Sequence, residues 1–70
     1  MEFRNFDMKY AEVFSVVDFV EYVKRGYYND YDGSVYYVLD DKVVDVPLSC
    51  HDLGKGLTDD RFTQVAWFSK

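Results

Sequence analysis

The chain has 70 residues, 49% hydrophobic and 20% aromatic, with thirteen acids against eight Lys and Arg and a net charge of −5. That length gives one domain near the lower limit for a single core, and the seven Tyr, six Phe and one Trp compensate, each burying roughly 150–250 Å². The composition excludes a disordered tail, the acid surplus argues against direct binding to nucleic-acid phosphate, and the lone Cys50 excludes an internal disulfide framework.

The opening stretch "MEFRNFDMKY" carries acids and no apolar h-region, so it does not read as a signal peptide. No apolar run nears the roughly 20 residues of a membrane span, and one unpaired cysteine suits a reducing compartment; the expected location is the cytoplasm. "EFRNFDMKYAEVF" alternates loosely through Phe3, Met8, Tyr10 and Phe14 and predicts a first strand.

A helix follows over about residues 15–25. Ser15 suits the N-cap, Asp18 completes an S-x-x-[DE] box, and Phe14 with Phe19 fits a hydrophobic staple. Val16, Phe19, Val20 and Val23 form one apolar stripe, Lys24 and Arg25 suit the negative end of the dipole, and Gly26 fits a left-handed C′ position. Next comes "GYYNDYDG", a loop with three tyrosines. "SVYYVLDDKVVDV" then reads as a hairpin turning at Asp40-Asp41, though without glycine its turn type is open. A two-residue turn puts Val35, Tyr37 and Leu39 on one face with Val44 and Val46, and Tyr36, Val38, Val43 and Asp45 on the other. The second face is therefore still largely apolar and must be covered or sticky. Pro47 is expected to end the second strand. "LSCHDLGKGLTDD" is mostly irregular, with one helical turn at Ser49–Leu53, and Arg61 to Ser69 reads as a last strand with Phe62, Gln64, Ala66 and Phe68 alternating against Thr63, Val65 and Trp67. The order β-α-β-β-β predicts an α+β fold: a small, mainly antiparallel sheet with one helix on one face.

Little here reads as catalytic. Cys50-His51-Asp52 holds the three residue types of a nucleophilic triad, but neighbours in extended chain point apart and no second His exists. One Cys and one His do not make a zinc site, and Asp30-x-Asp32-Gly33 fails as a calcium loop because Tyr28 and Leu39 fall where acids are required. "LGKG" is too short for a phosphate loop and reads as a turn. A chain this small also leaves little room for a pocket of a few hundred Å³. We expect no enzyme, no cofactor and no metal.

The tyrosine loop carries the functional expectation. Tyr27, Tyr28 and Tyr31 either cap the core edge or form a recognition surface, with Asp30 and Asp32 as a negative rim. Tyr36 continues the aromatic cluster, and Asp40 and Asp41 add doubled charge at a loop tip. These eight residues are the expected partner-binding set, and an acidic surface of this kind favours a protein partner with a basic surface. The compact acidic, Tyr/Phe-rich chain ending in "FTQVAWFSK" resembles small accessory proteins of tailed bacteriophages, in composition and in that tail rather than in a defined motif. The resemblance implies binding and inhibition of a host enzyme or defence complex. The expected function is thus an inhibitor or modulator of a basic nucleic-acid-handling protein, with nucleic-acid mimicry as one mode. The alternatives are an immunity- or antitoxin-like protein and a homo-oligomeric module, such as a homodimer, built on the apolar second face.

Overall fold

The computed structural model describes residues 2–70, which form five strands and two helices. In chain order these are β1 (Phe3–Arg4), β2 (Glu12–Ser15), α1 (Val16–Lys24), β3 (Gly33–Leu39), β4 (Lys42–Leu48), α2 (Cys50–Gly54) and β5 (Gln64–Ser69), with a 3-10 turn at Met8–Tyr10. The strands make one antiparallel sheet in the order β1-β4-β3-β5-β2. The α+β class and the helix on one face are as the sequence predicts.

The local signals of α1 are all used. Ser15 Oγ accepts the Asp18 amide at 3.2 Å, and the Phe14 and Phe19 rings lie 5.6 Å apart as a staple. At the far end the Gly26 amide bonds Val23 O and the Tyr27 amide bonds Tyr22 O, with Gly26 at φ 84°. That pair of bonds is a Schellman motif, which only a residue at ease with positive φ closes cheaply. The helical turn at Ser49–Leu53 is a second true helix, α2, built by the same grammar. Ser49 Oγ accepts the Asp52 amide, Gly56 sits at φ 85°, and the Gly56 and Leu57 amides return to Leu53 and Asp52.

Both helices cover the same sheet face. Phe19, Val35, Leu53, Val65 and Trp67 make the centre of this core, each at most 5% exposed. Full burial of such a side chain contributes about 1.5–3 kcal/mol, set against a backbone ordering cost of roughly 1–2 kcal/mol for each residue of the chain.

The first predicted strand is two strands at opposite edges of the sheet. Residues 5–11 join them by crossing the second sheet face, where the Phe6 ring lies 4.7 Å from Phe68 and 5.4 Å from Tyr36. Arg4 clamps the crossing: its Nη1 donates to the Tyr36 hydroxyl at 3.0 Å and its Nε lies 3.4 Å from Asp45. Under this belt Tyr36, Val38, Val43 and Ala66 are buried. The second face is therefore covered and not sticky.

Two boundaries also differ from expectation. Pro47 lies inside β4, opposite Tyr36, because β1 pairs only with Val43 and Val44 and leaves the outer side at Pro47 without a neighbour to donate to. There Val44, Asp45 and Val46 together oppose the single residue Tyr37, a bulge that frees the Asp45 amide to bond Glu2 O at 2.9 Å. β5 begins at Gln64, since Asp59 accepts the Arg61 amide and folds the preceding chain into a turn. Phe62 thereby leaves the alternation and stacks on Tyr37 at 4.6 Å in the helix-side core.

Candidate functional site: the tyrosine loop and its groove

The loop after α1 is pinned by its own polar side chains. Asn29 Oδ1 accepts the amides of Tyr31 (2.9 Å) and Asp32 (3.0 Å), and its Nδ2 donates to Asp32 Oδ2 at 2.7 Å. Such a side-chain turn fixes backbone without any core contact. Asp30 reaches outward to α2, where Oδ1 accepts the Cys50 amide at 2.8 Å and Oδ2 accepts the Ser49 hydroxyl at 3.2 Å. The Cys50 amide above all holds the Asp30 carboxyl below the usual carboxylate range, with the Ser49 hydroxyl adding to it. The loop is thus tied to itself and to the second helix.

The three tyrosines divide. Tyr28 turns inward against Phe14, Phe19 and Trp67, with ring centroids 5.1–5.3 Å away, and its hydroxyl donates to Glu12 Oε2 at 2.8 Å. Burial first, and then the Glu12 carboxylate, pushes its phenol up to about 12. Tyr27 and Tyr31 turn outward, 66% and 88% exposed. Tyr28 is a core cap, and its two neighbours are surface.

Beside them the ends of α1 and α2 leave a groove of about 500 Å³. So small a chain is expected to leave little room for a pocket of a few hundred Å³, and the groove is larger than that expectation. Glycine is the reason: Gly26 and Gly54 line the groove without side chains, and a Cβ on Gly54 would come within 3.3 Å of Val23 Cγ1. Val23 and Tyr28 supply apolar wall, while Tyr31, His51, Lys24 and Lys55 complete the lining. Neither lysine has an ion pair among the described residues.

The eight expected contact residues do not form one surface. Tyr27, Tyr28, Asp30, Tyr31 and Asp32 share the loop. Tyr36 is corrected: it is 6% exposed beneath Phe6 and belongs to the second-face packing. Asp40 and Asp41 lie at the hairpin turn, separated from the loop by the seven residues of β3, about 20 Å of strand. At that far end they join Asp18 in the first turn of α1 and the Asp59-Asp60 pair, which the Asp59 amide bonds to the Tyr37 hydroxyl. Acids lie at both ends, with Asp30, Asp32 and Asp52 at the tyrosine end, and Lys24 and Lys55 are the lysines that line its groove. Lys24, His51 and Lys55 are site residues that the sequence reading assigned to helix-end chemistry or to turns. The second S-x-x-D box, Ser49 to Asp52 with Gly56 behind it, is the signal that places His51 on a helix facing the loop and Lys55 at its C-cap.

Cys50, His51 and Asp52 lie in helix α2 rather than in extended chain, and consecutive helix positions turn them to different sides. Cys50 is 2% exposed, and burial, with the Asp30 carboxylate beside it, pushes the thiol up to about 12. His51 and Asp52 stand outside it on the surface, Nδ1 and Oδ1 3.8 Å apart. No helix among the described residues is long and apolar enough to cross a membrane. Comparison of the chain with protein-family models, with curated proteins and with solved structures gives no match.

Proposed function

We propose that the protein is a non-enzymatic binding module that engages a protein partner through Tyr27, Tyr31 and the adjoining groove. The observation that carries this reading is Tyr31, 88% exposed on a loop whose backbone is fixed by Asn29 and whose base is tied to α2 by Asp30. A large ring held in water by a rigid loop is poorly explained by packing and suits a contact made at low entropic cost.

A second reading rests on a different observation, Asp18, Asp40, Asp41 and Asp60 at the hairpin end, beside Asp59, whose carboxylate is paired with Arg61. That end suits a partner with a basic surface, as in inhibition of a nucleic-acid-handling protein by a surface that stands in for phosphates. The two readings part in one experiment. Tagged protein is used to capture partners from a bacterial lysate, with nuclease, and the capture is repeated with Tyr27→Ala/Tyr31→Ala and with Asp40→Asn/Asp41→Asn/Asp60→Asn. The first reading expects the tyrosine variant to lose the partner while its Tm stays within a few degrees of the parent. Loss in the aspartate variant alone, with salt-sensitive capture by the parent, overturns it in favour of the second.

A further inference from the structure

The chemistry of the groove points to the kind of segment that fills it. In a chain of thirteen acids and eight bases, acids outnumber the cations available to pair with them. Among the described residues Lys24, Arg25, Lys42, Lys55 and Lys70 have no ion pair, and two of them, Lys24 of α1 and Lys55 at the C-cap of α2, line the groove together with His51 of α2. The one carboxylate lining the groove, Asp30, has both oxygens engaged by Ser49 and Cys50. The apolar part of the lining is Val23 and Tyr28, with Gly26 and Gly54 adding no side chains.

We infer that the groove receives an acidic peptide segment of the partner protein, one apolar or aromatic side chain seated against Tyr28 and Val23 and flanking carboxylates paired with Lys24 and Lys55. This deepens the proposed contact surface and rests on it. An aromatic anchor in a pocket with charged groups at its rim is the usual division of labour in an interface: the ring supplies affinity, and the charges supply sign and register. A basic segment is disfavoured, because it would set two further cations beside two lysines that already lack counter-charges.

The test uses the intact protein and a short synthetic peptide with one phenylalanine between glutamates, followed by amide correlation NMR and fluorescence anisotropy. Binding is expected to shift the Gly26, Tyr31 and Gly54 amides and to weaken at high salt. It should fall about tenfold in Lys24→Ala/Lys55→Ala, the sum of two partly exposed charge pairs, and persist in Lys24→Arg/Lys55→Arg. The same peptide with alanine for phenylalanine, or with lysines for glutamates, should bind more weakly still. Equal binding of the basic peptide, shifts that map elsewhere, or no saturable binding overturns the inference. Both lysines are exposed, so their variants are expected to fold. The contact reading fails separately, when Tyr27→Ala/Tyr31→Ala still captures its partner.

Discussion

One methyl group at Gly33 decides whether Trp67 can seat. A Cβ there would lie 2.5 Å from Trp67 Cζ2 and also meet the Phe68 carbonyl oxygen, a backbone atom that cannot swing aside. Overpacking of this kind costs about 1–3 kcal/mol, and at this chain length each kcal/mol lowers Tm by roughly 4–8 °C. Gly33→Ala is therefore expected to melt at least several degrees below the parent in a thermal scan. A Tm equal to the parent's would show that the strand shifts to admit the methyl. Nothing in "YDGSV" reveals this, because the constraint is a ring 34 residues away. Cys50 and Tyr28 make the second case. Both hold their protons more tightly folded than unfolded, with ordinary values of 9.0 and 10.0 pushed up to about 12. The stability they lend is complete below pH 9 and is lost as pH rises from there through 12. Denaturant midpoints should thus be flat across neutral pH and fall above pH 9, and in Cys50→Ala the fall should begin nearer pH 10. A fall that starts below pH 8 would point to another group. The sequence allows a buried thiol at position 50; that Asp30 sits beside it, raising it further, follows from the loop's return to α2.

At the scale of elements, most of what is local was legible and most of what is long-range was not. The cap, staple and C′ glycine of α1 act within a turn or two, so five residues around Ser15 and three around Gly26 define that helix without knowledge of the rest. The hairpin was legible as a two-residue turn but not as a turn type. Asp40 and Asp41 both take positive φ, 51° and 63°, the mirror-image geometry that matches strand twist and that asparagine and glycine fill best. Two L-aspartates there hold a mild strain and repel each other. Asp40→Asn/Asp41→Gly is expected to stabilise the fold by about 1 kcal/mol, read as a higher urea midpoint with unchanged slope. A lower midpoint would mean that the aspartates make contacts at the tip that offset their backbone cost. The division of "EFRNFDMKYAEVF" into two edge strands was not legible, since each edge is defined by partners 39 to 55 residues on and the alternation of so short a run fits either face.

For the whole molecule, the covered second face decides between association and solitude. Phe6 is the residue that closes it, lying on Tyr36 and Phe68 under the Arg4 guanidinium. Phe6→Ala is expected to cost about 1–2 kcal/mol, less than a fully buried phenylalanine because its ring is partly in water, and to open an apolar strip. Light scattering should then show concentration-dependent association in the variant and not in the parent. A parent that already dimerises would place the contact elsewhere. The candidate site follows the same division between near and far. Its tyrosine loop was visible as composition, whereas its lysines were brought to it by a second helix whose approach depends on Gly54.

Strand β5 is the last element in chain order, yet it lies in the interior of the sheet, between β3 and β2. On the ribosome, the N-terminal segment therefore emerges long before either surface it must dock against. β2 has no strand partner until Gln64–Ser69 has been made, and the belt lacks the Ala66 and Phe68 part of its floor until then. The nascent chain can pair β1, β4 and β3 beforehand, but only β5 joins β2 to the sheet and completes it. Until then Tyr28 lacks the Trp67 wall on which it leans, so the inward side of the tyrosine loop is completed only with the last strand.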